Sequence, residues 1–213
     1  MYKLKQNLLD LFEFTLSKGD QKKIEIIKAC IELVSTVGIE KTSFESISKV
    51  IGTNRSHIKY YYNSKDDLFI DCYKFIIGTY QDYSLKSLSK IKLENKMLDA
   101  YLNGYFCWAK ENRSQVSAML LLYYQCTHNS HFRQINQAIK VGGAKKIQYI
   151  LSDSLKLKLS KSKLEILSRG IQALLSSCVI DIYTFETKDI CFEKKEKETK
   201  KLIKVLIKNT VEK

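Results

Sequence analysis

Arg55, His57 and Lys59 stand close together in the chain, and Ser56 and Tyr60 add hydroxyl groups to the same stretch. An arginine can bind O6 and N7 of guanine with two hydrogen bonds. His57 can donate to a base acceptor or to a phosphate, while Lys59 and Tyr60 suit the sugar-phosphate backbone better. The residue types in this stretch therefore predict contact with a nucleic acid.

A short helix over about residues 55–62 would position these side chains. Asn54 is a favourable N-cap for it, and Ile58 and Tyr62 mark a face opposite the polar residues. We expect Tyr62, and Tyr61 beside it, to pack in the core of a small domain. The polar residues then share the outer face of the helix.

Two more helices precede this one. Residues 21–37 follow a helical period and end at Gly38, which suits the position after a helix where the backbone turns left-handed. The spacing of Thr42 and Glu45 predicts a capping box at the start of a second helix. Gly52 then permits a tight turn before the third, so the spacing predicts a helix-turn-helix.

Three further residues could hold phosphates. Thr42 or Ser43 would open the second helix, where unbonded amides and the helix dipole favour an anion. Ser64 and Asp67 predict a capping box for a longer helix, which places Lys65 at the start of that helix. Each such contact would add a salt-dependent term to binding that does not depend on base sequence.

The rest of the chain also predicts helices. Period-2 patterns of strand length are absent from the sequence, and so is proline, the main helix breaker, which favours an all-α fold. An amphipathic helix is expected over 4–17, and Gly142-Gly143 predicts a kink or a close helix contact. The longer helices are expected at about 65–89, 94–111, 114–127, 131–158, 161–186 and 192–211.

Charge and cysteine content narrow the class of protein. The 213 residues carry a net charge of +13, but residues 1–65 hold only +4 of it and residues 140–213 hold +8. The total therefore does not point to one binding site.

Acidic residues interrupt the apolar N-terminal stretch, and the longest notable apolar run, 118–124, is too short to span a bilayer. Six widely spaced cysteines fit reduced thiols in a cytoplasmic protein without a membrane partner.

The stretch from Ile26 to Leu68 resembles the DNA-binding domain of TetR-type transcriptional regulators. The resemblance rests on Gly38, on the run from Thr42 to Lys49, on Gly52, and on the aromatic-rich run from Asn54 to Leu68 that contains Ser64-Lys65. Ser56, His57 and Lys59 depart from residues common in the family, which bears on the operator sequence rather than on the mode of docking.

The resemblance implies a domain organisation and a function. Residues 1–20 would be an extension, 21–66 the helix-turn-helix domain, and 67–213 a helical domain for ligand binding and dimerisation. The chain would act as a repressor that binds a near-palindromic double-stranded DNA operator as a homodimer. A small apolar or aromatic effector would release it, and neither a cofactor nor a catalytic residue is expected. The expected DNA contacts are Thr42, Ser43, Asn54, Arg55, Ser56, His57, Lys59, Tyr60 and Lys65.

The helical domain holds two further sets of candidates. The middle helices offer aromatic and apolar walls for a ligand pocket, or equally for a plain core, and the last two helices offer apolar faces for a four-helix dimer interface. The pocket candidates are Tyr101, Tyr105, Trp108, Met119, Tyr123 and Cys126. The dimer candidates are Leu167, Ile171, Leu174, Leu175, Cys178, Ile182, Leu202 and Val205.

Two alternatives belong to other classes of protein. Cys126, His128 and His131 lie close in sequence and could ligate a metal in a helical enzyme, although their spacing matches no standard zinc pattern. A non-catalytic helical interaction module is the other alternative, but it leaves the polar face around Arg55 unexplained. A redox sensor would be a variant of the regulator, and it would need an exposed thiol with a perturbed pKa.

Overall fold

A computed structural model describes residues 18–184 and 191–212, and within these ranges the chain forms helices and turns without a strand. The all-α prediction is confirmed. The helix expected over 4–17 lies outside the described residues. The α-helices are α1 Lys18–Val37, α2 Phe44–Val50, α3 Arg55–Tyr61, α4 Lys65–Ser89, α5 Met97–Glu111, α6 Arg113–Gln125, α7 Ser130–Tyr149, α8 Lys161–Thr184 and α9 Phe192–Val211.

The described chain divides into two compact units. The first contains residues 18–81 and 112–134, and the second contains residues 82–111, 135–184 and 191–212. In the first unit α1 packs along α6 and against α2, and α2 packs against α3. Its core is apolar and includes Ile26, Ile27, Val34, Ile47, Ile58, Leu68, Cys72, Val116, Leu122 and Phe132.

Two glycines shape the turns of the first unit. Gly38 has φ +85° and ends α1, and Gly52 has φ +67° between α2 and α3. Both angles lie in the left-handed region, where a side chain would be strained. The predicted turns at both positions are therefore confirmed, and together with α2 and α3 they form a helix-turn-helix.

In the second unit α8 packs against α9, and α9 also contacts α5. Gly104 of α5 lies so close to α4 that an added Cβ would stand 2.9 Å from Ser84 Cα and 3.0 Å from the Tyr83 carbonyl oxygen. Gly143 of α7 admits the Gln172 side chain, because a Cβ there would stand 2.4 Å from Gln172 Nε2. The close helix contact expected at Gly142-Gly143 is thus present at Gly143.

The helix predicted over 131–158 is shorter than expected. Helix α7 ends at Tyr149 and continues as one π-turn, Ile150–Ser154, after which Lys156 takes φ +55° and residues 155–160 leave the helix. Leucine and lysine alternate here, with leucines 155, 157 and 159 half-buried and lysines 156 and 158 exposed. A burial period of two does not fit a helix, which explains why the helix predicted to 158 ends earlier.

Among the described residues, α8 alone combines the length and apolar composition that a membrane span would need, and a third of its most apolar window is buried. Unlike the run 118–124, it is long enough to cross a bilayer. A single such helix is weak support for a membrane protein, because core and interface helices meet the same criteria.

Candidate nucleic-acid interface

The start of α2 differs from the prediction by one residue. Ser43, not Thr42, is the N-cap: its Oγ accepts from Ser46 N–H at 3.1 Å, and Ser46 Oγ accepts from Ser43 N–H at 2.8 Å. The capping box predicted between Thr42 and Glu45 is therefore wrong. Thr42 is fully buried and donates its hydroxyl to the Gly38 carbonyl, so its side chain is not available to a phosphate. The exposed residue at this helix start is Ser43.

Asn54 caps α3, as predicted. Its Oδ1 accepts from the His57 backbone N–H at 2.9 Å and from the Ser56 hydroxyl at 2.7 Å. Two of the expected DNA contacts, Asn54 and Ser56, are thus hydrogen-bonded to each other. The Asn54 side-chain amide keeps its donors, and Ser56 keeps acceptor lone pairs.

The outer face of α3 presents Arg55, Lys59 and Tyr60 to solvent, and Tyr60 is 83% exposed. On the opposite side Ile58 is fully buried, which fixes the rotation of this short helix. A recognition helix packs its apolar side in the domain core and presents its polar side to the DNA groove, and α3 has this arrangement.

His57 is oriented differently from these three residues. Its ring meets Tyr61 edge-on with the centroids 5.5 Å apart, and its Nε2 is buried without a hydrogen-bond partner among the described residues. Tyr61 is half-buried and Tyr62 is 4% exposed, so the predicted core position of Tyr62 is confirmed. In this conformation the ring nitrogen Nε2 of His57 is less accessible to a base edge than the exposed guanidinium of Arg55 is.

Lys65 already has a structural role. Its ammonium donates to the Ile39 carbonyl oxygen at 3.0 Å and lies 5.3 Å from the centroid of the Phe69 ring. It therefore ties the start of α4 to the turn after α1. The capping box that opens α4 is confirmed, because Ser64 Oγ accepts from Asp67 N–H and Asp67 Oδ2 accepts from Ser64 N–H.

The six pocket candidates fall in both units. Tyr101 and Trp108 are buried in α5, and the Tyr105 hydroxyl donates to the Leu175 carbonyl within the second unit at 3.2 Å. In the first unit, Met119 and Cys126 are half-buried and Tyr123 is exposed. Burial raises the pKa of the Tyr105 phenol far above its usual value, and it also raises the pKa of the Cys126 thiol.

The eight dimer candidates differ in exposure. Four of them are at most 5% exposed and pack inside their own unit, so they present no surface to a partner: Leu167, Ile171, Leu175 and Cys178. Leu174 and Ile182 are half-buried, while Leu202 and Val205 are exposed. A groove between α8 and α9 contains three of this outer set and is lined by Gly170, Ala173, Leu174, Ser177, Leu202, Val205, Leu206 and Asn209.

The structure does not assemble the metal site considered above. His128 Nε2 is hydrogen-bonded to Gln125 Oε1 at 2.9 Å and its Nδ1 to Thr127 Oγ1 at 3.0 Å, so both ring nitrogens have partners. Across residues 18–184 and 191–212, no group of three or more His, Cys, Asp or Glu side chains could hold a metal. The alternative of a metal site at Cys126, His128 and His131 is therefore not supported.

The fold and the exposed face of α3 define a class of protein, the helix-turn-helix transcriptional regulators. Comparison with known proteins narrows the class. Residues 26–72 match the family described as bacterial regulatory proteins, tetR family. The helix-turn-helix of this chain therefore matches that of tetR-family regulators, and the resemblance inferred from the sequence is confirmed.

Individual relatives agree with this assignment. The chain is 22% identical over 156 residues to the HTH-type transcriptional regulator BetI of Vibrio campbellii, covering 72% of this chain and 76% of that protein. It shares its fold with a Saccharomonospora viridis protein, described as a transcriptional regulator in complex with choline. The TM-score is 0.72 at 16% identity, over 86% of this chain and 96% of that one. A Rhodococcus protein described as a TetR-family regulator gives a TM-score of 0.73 at 15% identity, over 88% and 99%.

Proposed function

We propose that the chain is a cytoplasmic, ligand-responsive repressor, which binds a near-palindromic operator as a homodimer and is released by a small-molecule effector. The observation that carries this proposal is the outer face of α3. Arg55, Lys59 and Tyr60 are exposed there while Ile58 anchors the helix from the other side. In the major groove, Arg55 near the helix N-terminus would meet base edges, and Lys59 and Tyr60 would meet the backbone.

Phosphate contacts would set the register of α3 on DNA. The exposed hydroxyl of Ser43 opens α2, and Lys65 opens α4. Lys65 would need to leave the Ile39 carbonyl or share its donors, since an ammonium has three. Such contacts release counterions from DNA, so affinity should fall as salt rises.

Dimerisation would give the specificity that one small reading helix lacks. The groove between α8 and α9 leaves Leu202 and Val205, 54% and 46% exposed, unburied in one chain. A second copy laid across this groove would bury them and form a four-helix interface. Two reading helices about 34–36 Å apart would then match half-sites one turn of DNA apart.

The effector would act from the helical domain that we assign to residues 67–213, with residues 21–66 as the DNA-binding domain. Choline in the Saccharomonospora neighbour supports a small-molecule site in this fold. An effector shifts the dimer between DNA-competent and DNA-incompetent states only if it binds the two with different affinity. For release from the operator, the effector must bind the DNA-incompetent state more tightly than the DNA-competent state.

Titration of the protein against the DNA upstream of its own gene tests the proposal. We expect tight binding to one palindromic segment, and binding to a scrambled duplex of the same length that is weaker by about 10³-fold or more. Arg55→Ala should reduce the ratio of the affinities for the two duplexes. Lys28→Ala, at an exposed lysine of α1, should leave this ratio unchanged. Equal affinity for the two duplexes would contradict the regulator proposal.

A further inference from the structure

A lysine is buried in the second unit. Lys146 of α7 is 8% exposed, and its ammonium donates to the Ser84 hydroxyl at 2.9 Å. The ammonium also lies 5.4 Å from the centroid of the Tyr101 ring. Lys145, the preceding residue, is exposed, so the two adjacent lysines have opposite environments.

The described residues do not balance the charge of Lys146. Within residues 18–184 and 191–212, no carboxylate lies within 4 Å of its ammonium. Other lysines of this unit are paired: Lys200 with Glu196 and Lys204 with Asp99. Burial without a counter-charge lowers the pKa of Lys146 to about 8. A buried, unpaired cation is unfavourable and gains most from an incoming anion.

The donors around Lys146 suit such an anion. An ammonium has three N–H donors, of which Ser84 receives one. The Ser84 hydroxyl, which accepts that bond, still has its own proton to donate. Gly142 lies one turn before Lys146 on the same side of α7, and a Cβ added there would meet nothing within 4 Å. There is therefore unfilled space beside α7 one turn before Lys146.

We propose that Lys146, with Ser84 and Tyr101, forms an anion-binding subsite that takes the carboxylate of a small organic acid with an apolar body. This proposal rests on the proposed function and names the chemical class of its effector. The ammonium and the Ser84 hydroxyl would donate to the carboxylate oxygens, and Tyr101 would contact the apolar part of the ligand. A quaternary ammonium ligand is disfavoured, because a cation already occupies the face of the Tyr101 ring.

Matched probes test the inference on the full-length protein. Hexanoate and phenylacetate represent the acids, hexan-1-ol and 2-phenylethanol the neutral analogues, and hexyltrimethylammonium the cation. Binding is followed by calorimetry and by the fluorescence of Trp108, the single tryptophan of the chain, which is buried in the same unit. We expect at least one acid to bind about 10- to 100-fold more tightly than its alcohol, the range for a hydrogen bond to a charged group.

Variants assign the preference to the buried lysine. Lys146→Met should remove the preference for the acid over the alcohol, and Lys146→Arg, which keeps the charge, should retain part of it. Lys145→Met is the matched control and should bind as the wild type does. Far-ultraviolet circular dichroism and Trp108 emission establish that each variant is folded.

Three outcomes would overturn the inference: no binding of either acid at millimolar concentration, equal affinity for acid and alcohol, or an undiminished acid preference in folded Lys146→Met. Tighter binding of hexyltrimethylammonium than of hexanoate would also overturn it, in favour of a cationic effector. Operator affinity measured without ligand is independent of these results. A failure of the anion subsite thus differs from a failure of the regulator proposal.

Discussion

The side-chain amide of Asn129 donates a hydrogen bond to Asp66 Oδ2 at 3.2 Å, which joins the turn before α7 to the first turn of α4. Asn129 also caps α7, because its Oδ1 accepts from the backbone N–H groups of His131 and Phe132 at 3.0 and 3.3 Å. Asp66 directly follows Lys65. The link therefore holds the turn after α6 against the start of α4.

Replacing Asn129 with aspartate separates the two roles of this side chain. Asn129→Asp keeps an acceptor for the cap of α7 but sets a carboxylate against that of Asp66. We expect the free energy of unfolding in urea to fall by about 0.2–1 kcal/mol, the range for exposed charge pairs. Adding Asp66→Asn restores an amide donor opposite a carboxylate and should recover most of the loss. A double variant that is no more stable than Asn129→Asp would show that the link contributes nothing.

Lys65 and Lys59 differ in what their ammonium groups contact, so their replacement should have different effects. Lys65→Met removes the hydrogen bond to the Ile39 carbonyl and should lower the free energy of unfolding by about 1 kcal/mol. It should also weaken binding to all DNA sequences and reduce the salt slope by about one. Lys59→Met, at an exposed site, should change binding without a change in stability. A change of sequence preference in Lys65→Met would contradict its assignment to phosphate.

Two glycines in helices should respond oppositely to alanine. Gly104→Ala places a methyl group 2.9 Å from Ser84 Cα, and because backbone cannot yield as a side chain does, we expect a loss of about 1–3 kcal/mol of stability. Gly142→Ala meets nothing within 4 Å and should gain up to about 1 kcal/mol from helix propensity. Thermal unfolding of both variants measures the difference. Stabilisation by Gly104→Ala would show that α4 and α5 are not closely packed there.

The DNA-binding part of the fold could be predicted because its signals are local. Asn54 as a cap, Gly38 as a helix end, and the box formed by Ser64 and Asp67 each depend on residues within a few positions of one another. Such interactions form whatever the rest of the chain does, so spacing alone identifies them. Ile58 could also be predicted, because it is the apolar residue among polar neighbours on α3, and it lies in the core of the first unit.

Features that depend on tertiary packing were beyond the sequence. Thr42 and Ser43 are adjacent hydroxyl residues, and only the burial of Thr42 decides which of them caps α2. Lys145 and Lys146 are identical in type and adjacent, so their opposite burial follows only from how α7 packs. Leu167 and Leu202 both fit an apolar interface face by sequence, but Leu167 is buried in its own unit and Leu202 is exposed.

An acidic residue in the groove between α8 and α9 should prevent dimerisation. Leu202→Asp and Val205→Asp each place a charge on the surface that a second copy would bury, where an unpaired carboxylate is strongly unfavourable. We expect monomers in sedimentation velocity and loss of tight operator binding. Val141→Asp is the control, because Val141 is equally exposed but lies on α7. A dimer that survives both groove variants would place the interface elsewhere.

The buried ammonium of Lys146 should make stability depend on pH in a way that a methionine does not. Ser84 from α4 and Tyr101 from α5 face it, and of these only the Tyr101 phenol titrates. The pKa of Lys146 is about 8 in the folded chain and about 10.4 when unfolded, so between these values the unfolded chain binds more protons. The free energy of unfolding should therefore rise with pH through this window, by on the order of 3 kcal/mol in total.

Below pH 8 the lysine is charged in both states, and its burial penalty is fully present. Lys146→Met should therefore be more stable than the wild type at pH 7, and this advantage should shrink as the pH approaches 10. Urea unfolding of both proteins at pH 7, 8, 9 and 10 measures the difference between their free energies of unfolding. The contributions of other titrating groups cancel in this difference. Lys145→Met should show a difference that does not vary with pH, because the exposed ammonium is solvated in both states. If the stability difference between Lys146→Met and the wild type also does not vary with pH, the Lys146 ammonium is paired with a counter-charge or hydrated in solution. The electrostatic reason for an anion to bind beside it would then be lost.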